Sequence, residues 1–224
     1  MAEIIPTNTC PSTLDELKRS SEFIAKFAPW GQLDISDGKF TPVRSLPYGE
    51  GQWTELEGFS FSDHPKYEVH LMVQQPREIG TLLAKAGAKR ILGHVETFSD
   101  PQEILGTLAE WKAAGAESGV ALLFDTPLSF FEPVIPSCDV VQVMSIATLG
   151  RQGAPYEPRA VERVGELHTK YPHLTIEVDG GVSEKNIVDL VRAGARRFGV
   201  GSAIMKAEDP SAAYRRLCEL AQNA

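Results

Sequence analysis

The sequence has few cysteines, few basic residues and no long apolar run. The three cysteines, Cys10, Cys138 and Cys218, lie far apart and form no Cys-x-x-Cys pair, so the sequence predicts neither a disulfide framework nor a structural zinc site. The formal net charge of -8 argues against binding to nucleic acid, which needs clustered Lys and Arg. No stretch approaches the roughly 18 apolar residues of a membrane span, and the N-terminus lacks a basic segment followed by an apolar one. We therefore expect a cytoplasmic protein that does not enter membranes.

What the sequence does contain is a regular alternation of strand and helix patterns. The predicted strands are Glu3–Thr9, Gln32–Ser36, Tyr67–Val73, Arg90–Glu96, Gly119–Asp125, Val140–Ile146, Leu174–Asp179 and Arg197–Gly201. The predicted helices are Leu14–Phe27, Arg77–Ala86, Pro101–Ala114, Pro158–Lys170, Glu184–Ala193 and Pro210–Gln222. Strands separated by helices are typical of a parallel sheet. The chain, residues 1–224, is long enough for a single (β/α)8 barrel domain.

Helix boundaries and two irregular segments complete the predicted architecture. Thr13 and Ser183 stand at N-cap positions, and Asp100 and Asp209 each precede a proline at the first helical position. Residues 41–65, rich in Gly, Pro and aromatics, are predicted to form a long loop with one short helix at most. Residues 147–155 follow a strand and contain two glycines, so we expect a mobile loop over the barrel mouth.

Several polar side chains fall at the carboxyl ends of predicted strands, where barrels of this type build their sites. Strand alternation places Asp34, His70 and Asp179 on inward faces of three different strands, so we expect them to converge. Buried carboxylates are rare unless they are paired or functional, which favours a catalytic or metal-binding role. Asp37 precedes a glycine and is interpreted as a turn cap. The remaining histidines, His64, His94, His168 and His173, are interpreted as surface groups or groups behind the site.

Glycines at the ends of the last two strands indicate a phosphate site. Gly180 and Gly181 follow the seventh strand, and Gly201 with Ser202 follows the eighth. In barrels the loops after these two strands bind phosphate, because backbone N–H groups can approach the anion where no Cβ intervenes. Glycine pairs also mark ordinary turns, which is the alternative interpretation.

Taken together, these segments resemble the ribulose-phosphate 3-epimerase family. The resemblance runs through LDISDGKF, YEVHLMV, KAGAKRILGHVE, GVALLFDTPL, DVVQVMSI, IEVDGGV and AGARRFGVGSAI, in that order, and HLMV, VDGGV and GSAI are its most specific parts. It implies a (β/α)8 barrel that binds a ketopentose 5-phosphate and inverts C3 through an enediolate. It also implies a homo-oligomer, dimeric or larger.

The resemblance further implies a set of site residues. Asp34 and Asp179 would be the acid and base, and together with His70 they would bind a divalent metal (Zn, Fe or Mn). The resemblance and the strand pattern also assign a set of residues, His70 among them, to binding of the sugar phosphate. These are Thr7, His70, Met72, Met144, Gly150, Gly153, Gly180, Gly181, Gly201 and Ser202.

This chain departs from the family pattern at the sugar end of the site. Gln32 stands where the family has a fourth metal ligand, a histidine, so we expect weaker metal binding or a preference for harder ions. Ser36 replaces a methionine, which predicts a wetter pocket, and the loop with Gly150 and Gly153 carries a basic residue, Arg151. The phosphate end is unchanged.

Three functions remain open on this basis. The first is a ketose-phosphate 3-epimerase acting on a pentulose or hexulose phosphate. The second is a lyase or decarboxylase on the same scaffold. It is disfavoured because we expect no catalytic lysine in the Asp-x-Lys spacing that barrel decarboxylases of this type place after the strand-two region. The third is a non-catalytic sugar-phosphate binding protein, which Gln32 favours.

Overall fold

The computed structural model describes residues 2–49, 53–56, 58–61, 64–150 and 153–224. Its strands are β1 (Glu3–Thr9), β2 (Trp30–Ser36), β3 (Lys66–Met72), β4 (Arg90–His94), β5 (Glu117–Leu122), β6 (Val140–Met144), β7 (Ile176–Asp179) and β8 (Arg197–Val200). All are parallel, each pairs with its neighbour in chain order, and β8 pairs with β1 to close the barrel. The predicted eight-stranded barrel is confirmed.

Helices cover the outside of the barrel. They are α1 (Leu14–Ile24), α2 (Pro76–Lys85), α3 (Pro101–Ala113), α4 (Leu128–Phe131), α5 (Ala160–Lys170), α6 (Ile187–Ala193), α7 (Ser202–Met205) and α8 (Pro210–Gln222). Short 3-10 helices occupy Trp53–Leu56, Val95–Thr97 and Glu132–Ser137. The one-turn helices α4 and α7 were not predicted, since a single turn is too short to produce a periodic apolar pattern.

The main core lies between the strands and the helices. Leu33 and Ile35 of β2 are buried in it, whereas Gln32 and Asp34 alternate with them and face the barrel interior. The same alternation sends polar side chains of several strands inward. The barrel interior therefore contains polar and charged side chains beside apolar ones, whereas the outer core is apolar.

The predicted helix caps are confirmed at three positions. The side chain of Thr13 accepts from the backbone N–H of Glu16, Asp100 from those of Gln102 and Glu103, and Asp209 from that of Ala212. The predicted cap at Ser183 is wrong, because α6 begins three residues later than expected, after Asn186. The side-chain oxygen of Asn186 accepts from the N–H of Ser183, so residues 183–186 form a separate turn.

The segment between β2 and β3 has the irregular structure predicted for it. Its described residues contain no α-helix and one 3-10 helix, Trp53–Leu56. β4 ends at His94, two residues before the predicted Glu96, because Val95–Thr97 turns into a 3-10 helix. Among the described residues, no helix is long and apolar enough to cross a bilayer.

A charged cluster fills the barrel toward the amino ends of the strands. We call it the lower cluster and define it as Glu3, Glu68, Arg90, Glu117, Gln142, Glu177 and Arg197. Arg90 Nη1 lies 2.7 Å from Glu3 Oε2 and 3.5 Å from Glu68 Oε2. Gln142 donates to Glu177 at 2.9 Å. Burial raises the pKa of Glu68 and of Glu177, so these two carboxyls favour sharing a proton.

Candidate active site

A cleft opens at the carboxyl ends of the strands. Every residue predicted from the sequence to act on a substrate or metal borders it: Thr7, Asp34, His70, Met72, Met144, Gly150, Gly153, Asp179, Gly180, Gly181, Gly201 and Ser202. The lining also includes Thr9, Ile146, Ala154 and Val182, which were not predicted. The residues predicted for the site therefore border one cleft.

Two carboxylates from strands on different sides of the barrel meet at the floor of the cleft. The side-chain amide nitrogen of Gln32 donates to Asp34 Oδ1 at 2.9 Å and to Asp179 Oδ2 at 2.6 Å, and so joins them. Gln32 is fully buried, Asp34 is 6% exposed and Asp179 is 8% exposed. The convergence expected from strand alternation is therefore present, and Gln32 lies inside it.

His70 completes this group, which we call the upper cluster: Gln32, Asp34, His70 and Asp179. Its Nδ1 lies 3.3 Å from Asp34 Oδ1 and 3.4 Å from Asp179 Oδ2. Burial lowers the pKa of His70, but hydrogen bonds and charges of Asp179 and Asp34 outweigh burial and raise the pKa to about 9. Without a metal, the imidazolium thus balances part of the carboxylate charge.

Burial also acts on the carboxyl of Asp34. It raises the pKa of Asp34, the nearby negative charge of Asp179 adds to this, and the hydrogen bonds from His70 and Gln32 oppose it. A carboxyl with a raised pKa holds and releases a proton at a pH closer to neutrality. This is the property that a general acid and base requires.

The side-chain atoms of the upper cluster include potential ligands for a divalent metal. One ligand atom from each of Asp34, His70 and Asp179 lies within 4.8 Å of the others. The carbonyl oxygen of Gln32 is buried with no hydrogen-bond partner among the described residues. Rotation of this amide by half a turn would exchange its nitrogen for that oxygen beside the two carboxylates. The residues therefore fit a divalent cation, with mainly hard oxygen donors.

Gly199 of β8 makes room for the upper cluster. A Cβ at this position would lie 2.4 Å from Gln32 Oε1 and 3.0 Å from Asp179 Cγ. Any larger residue would push these side chains out of place. The sequence analysis did not identify this glycine, because its importance depends on which side chains of β2 and β7 reach it.

Two glycines with positive φ border the cleft after β7. Gly180 has a φ of +108° and Gly181 a φ of +65°. A Cβ on Gly180 would lie 2.6 Å from the Ile146 side chain. Thr7 borders the same cleft, and its buried hydroxyl has no hydrogen-bond partner among the described residues.

The loop after β6 covers the cleft from one side. An antiparallel bridge between Ile146 and Tyr156 closes its base, and Gly150 is close to Thr41 of the β2 loop. Met72 and Met144 pack with Ile146 and Leu149 in a small apolar cluster at the cleft, as adaptable fillers do. Arg151 lies outside the described residues. The expected mobility of this loop stays a prediction.

Three expectations near β2 can be compared with the structure. Ser36 does not make the cleft wetter, because it is fully buried and its hydroxyl bonds to Thr41 Oγ1 and donates to the carbonyl of Val43. Asp37 is a turn cap, as expected: it accepts from the N–H groups of Lys39 and Phe40. Asp37 and Lys39 do have Asp-x-Lys spacing, but Lys39 is exposed and neither residue borders the cleft.

Comparison with known proteins now decides the family. A sequence model of the Ribulose-phosphate 3 epimerase family matches residues 13–205. The chain belongs to the ribulose-phosphate 3-epimerase family. The cytoplasmic isoform of ribulose-phosphate 3-epimerase from Oryza sativa subsp. japonica is 31% identical, over 99% of this chain and 96% of the relative. The ribulose-phosphate 3-epimerase of Schizosaccharomyces pombe is 29% identical, over 93% of this chain and 89% of the relative.

Solved structures share the fold of this ribulose-phosphate 3-epimerase family member. The 3-hexulose-6-phosphate synthase of Salmonella typhimurium superposes with a TM-score of 0.67 at 16% identity, covering 99% of both chains. The orotidine 5'-monophosphate decarboxylase of Sulfolobus solfataricus gives a TM-score of 0.60 at 13% identity, covering 100% of this chain and 99% of that one. At such identities the similarity extends to the barrel alone.

Two residues of this family member that line no part of the cleft stand directly behind His70. His94 is fully buried, and its Nε2 lies 2.9 Å from His70 Nε2. Its Nδ1 lies 3.1 Å from Glu96 Oε2. His94 is therefore behind the site and not at the surface. Its place at the end of β4 was a usable sequence signal, whereas Glu96 follows the strand and its direction could not be predicted.

Proposed function

We propose that this protein interconverts D-ribulose 5-phosphate and D-xylulose 5-phosphate by inverting C3. The observation that carries the proposal is the meeting of Asp34 and Asp179, two buried carboxylates from β2 and β7, at the floor of a small cleft. Family membership supports the same substrate, because the relatives from rice and yeast are named for it. The glycines at the other end of the cleft suit the phosphate.

The two aspartates can act as acid and base on opposite faces of the sugar. One carboxylate takes the C3 proton, and the electrons of the C–H bond form the C2–C3 double bond of an enediolate. The other carboxyl returns a proton to the opposite face, which inverts the carbon. In the reverse direction Asp34 and Asp179 exchange roles. The raised pKa of Asp34 supports such proton transfer near neutral pH.

The enediolate carries a new negative charge, which the site must stabilise. Asp34, His70 and Asp179, joined by Gln32 through its carbonyl oxygen, would hold a divalent metal. Such a metal, when bound, polarises the C2 and C3 oxygens as a Lewis acid. The positive charge of His70 lies at the same place when no metal is present.

We infer that the phosphate lies against Gly180, Gly181, Gly201 and Ser202. Positive φ values at the first two of these glycines turn the backbone at the cleft, and the absence of a Cβ lets an anion approach. The charged end of the ligand would then lie at β7 and β8. The reacting carbons then lie beside Asp34 and Asp179.

One observation favours the binding-only alternative. The amide of Gln32 donates to both carboxylates, so it occupies acceptor positions that a base would use. If this arrangement persisted with ligand bound, the protein would bind a sugar phosphate without turning it over.

The distinguishing experiment is a coupled assay for xylulose 5-phosphate formation from D-ribulose 5-phosphate, with and without added Zn2+, Mn2+ or Fe2+. Calorimetry with the same compound measures binding, and a hexulose phosphate serves as the second substrate. Turnover of ribulose 5-phosphate supports the proposal. Turnover of the hexulose phosphate alone changes the substrate, and binding without turnover under every condition would leave the binding-only function.

We further infer a cytoplasmic location and a homo-oligomer, dimeric or larger. The name of the rice relative, a cytoplasmic isoform, supports the location. Light scattering on the purified protein measures its mass, and a monomer of 24.5 kDa would contradict the oligomer.

A further inference from the structure

We propose that His94 and Glu96 are positioning residues that fix the hydrogen-bonding state of His70. Neither lines the cleft, so neither is a catalytic residue. They form a chain of hydrogen bonds that runs from His70 through the fully buried His94 and the partly buried Glu96 to Leu123, the residue after β5. This inference rests on the proposed function for its catalytic consequence, but its structural content is tested without turnover.

The chain begins with an unusual contact between two imidazoles. His70 Nε2 and His94 Nε2 are 2.9 Å apart, a hydrogen-bond distance, and the ring centroids are 5.0 Å apart. One of these two nitrogens must carry a proton and the other must accept it. His70 is 1% exposed and His94 is fully buried, so water does not offer an alternative partner.

Glu96 decides which nitrogen donates. Its Oε1 accepts from the backbone N–H of Leu123 at 2.8 Å and from the hydroxyl of Thr126, and its Oε2 lies 3.1 Å from His94 Nδ1. A carboxylate surrounded by donors acts only as an acceptor, so His94 carries its proton on Nδ1. Neutral His94 then presents an unprotonated Nε2 to His70.

The proton position on His94 also determines which nitrogen of His70 faces the cleft without a fixed proton. Because His94 accepts, His70 donates from Nε2, and its Nδ1 remains the nitrogen that faces Asp34 and Asp179. That nitrogen is then the one free to bind a cation in place of a proton. Hydrogen bonding to the far nitrogen of a metal-ligating histidine is known to fix its tautomer and its basicity.

The donors around Glu96 would fix the orientation of the amide in a Glu96→Gln variant. In a Glu96→Gln variant, the donors Leu123 and Thr126 require an oxygen at Oε1, so the amide nitrogen must face His94 Nδ1. His94 then accepts at Nδ1 and carries its proton on Nε2. His70 must then accept at Nε2 and hold its only ring proton on Nδ1. A cation could displace that proton only by leaving the ring as an anion, so cation binding is disfavoured.

The experiment is nitrogen-15 NMR of the histidine side chains, with metal affinity measured separately by chelator competition using Zn2+ and Mn2+. In the wild type we expect protons on His94 Nδ1 and His70 Nε2. In Glu96→Gln we expect the proton of His94 on Nε2, none on His70 Nε2, and metal affinity lower by roughly 10- to 100-fold. Thr126→Val removes one donor to Glu96 but leaves the Glu96 carboxylate as the acceptor for His94 Nδ1. This control variant should therefore keep the wild-type proton positions.

Two results would overturn the proposal. The first is a wild-type protein with the proton of His94 on Nε2, which can be seen even if the variant does not fold. The second is a folded Glu96→Gln variant with unchanged proton positions. If the wild type shows the expected proton positions but does not turn over ribulose 5-phosphate, the proposed function is contradicted. The inference about His94 and Glu96 is then still supported.

Discussion

The barrel interior contains two clusters that are similar in composition and differ in access. Each contains two buried carboxylates, one of them on β7, and a cation from a neighbouring strand. In the lower cluster Glu68 and Glu177 lie with Arg90, and both carboxyls are fully buried. In the upper cluster Asp34 and Asp179 lie with His70 at the floor of an open cleft.

The two clusters differ in the kind of cation they contain and in access from the cleft. Glu177 and Asp179 are two residues apart on one face of β7, so the same strand supplies both clusters. Arg90 carries a permanent charge and is stacked on Trp30, 3.6 Å from the ring centroid, which fixes the lower cluster. His70 can exchange its proton, and the cleft admits a ligand. Access at the carboxyl ends of the strands, and a cation that can lose its charge, distinguish the upper cluster, and for these reasons we propose it as the functional one.

The largest expected effect comes from removing one carboxylate in each cluster. Asp34→Asn should lower turnover by about 10²- to 10⁴-fold, because an amide cannot act as a base. Glu68→Gln, the matched change in the lower cluster, should leave turnover within about threefold, because no substrate reaches it. Steady-state kinetics with thermal unfolding as the folding control measures both. Full activity in Asp34→Asn would rule out its assignment.

A second pair of variants compares the clusters as metal sites. Gln32→His adds an imidazole to the upper donor set, so Zn2+ affinity should rise by about 10-fold or more, measured by chelator competition. Gln142→His makes the same change beside Glu177, where the positive charge of Arg90 opposes a cation, and should give no gain. Equal affinities in both variants and the wild type would mean that Gln32 does not limit metal binding.

The phosphate end of the cleft can be tested by charge. Ser202→Asp places a negative side chain beside the inferred phosphate and should raise the KM for ribulose 5-phosphate by about 10-fold or more. Ser202→Ala keeps the backbone N–H and should change the KM only slightly. A KM that is unaffected by the aspartate would place the phosphate elsewhere.

The smallest expected effect is a change in the free energy of unfolding when Glu177 of the lower cluster is replaced. Burial raises the pKa of Glu177 well above its usual value, so the folded state binds a proton that the unfolded state loses as pH rises above about 4.5. Stability of the wild type therefore falls as pH rises through the interval between the two pKa values. Glu177→Gln has no such proton and can donate to Glu68 instead. Its free energy of unfolding should exceed that of the wild type by about 1 kcal/mol at pH 8.

Urea unfolding at pH 4.5 and at pH 8 measures this difference. The advantage of Glu177→Gln should appear only at the higher pH. An equal difference at both pH values would show that the effect comes from packing and not from the proton.

The direction of side chains along a strand could be predicted from the sequence, whereas contacts between strands could not. Strand periodicity gave the barrel and the inward faces of Asp34, His70 and Asp179, because a period of two fixes direction once a strand is located. It could not give Gly199 or the donation from Gln32, which depend on contacts between β2, β7 and β8. The cap predicted at Ser183 was wrong and the one-turn helices were missed, because local signals are weak over four residues.

The central claim is that the upper cluster abstracts the proton at C3. Proton NMR of D-ribulose 5-phosphate in D2O, with the purified protein and with or without Zn2+, Mn2+ or Fe2+, tests it most directly. The account predicts loss of the C3 proton signal and formation of xylulose 5-phosphate that carries deuterium at C3, with neither seen for Asp34→Asn. A C3 proton that persists under every condition would contradict it.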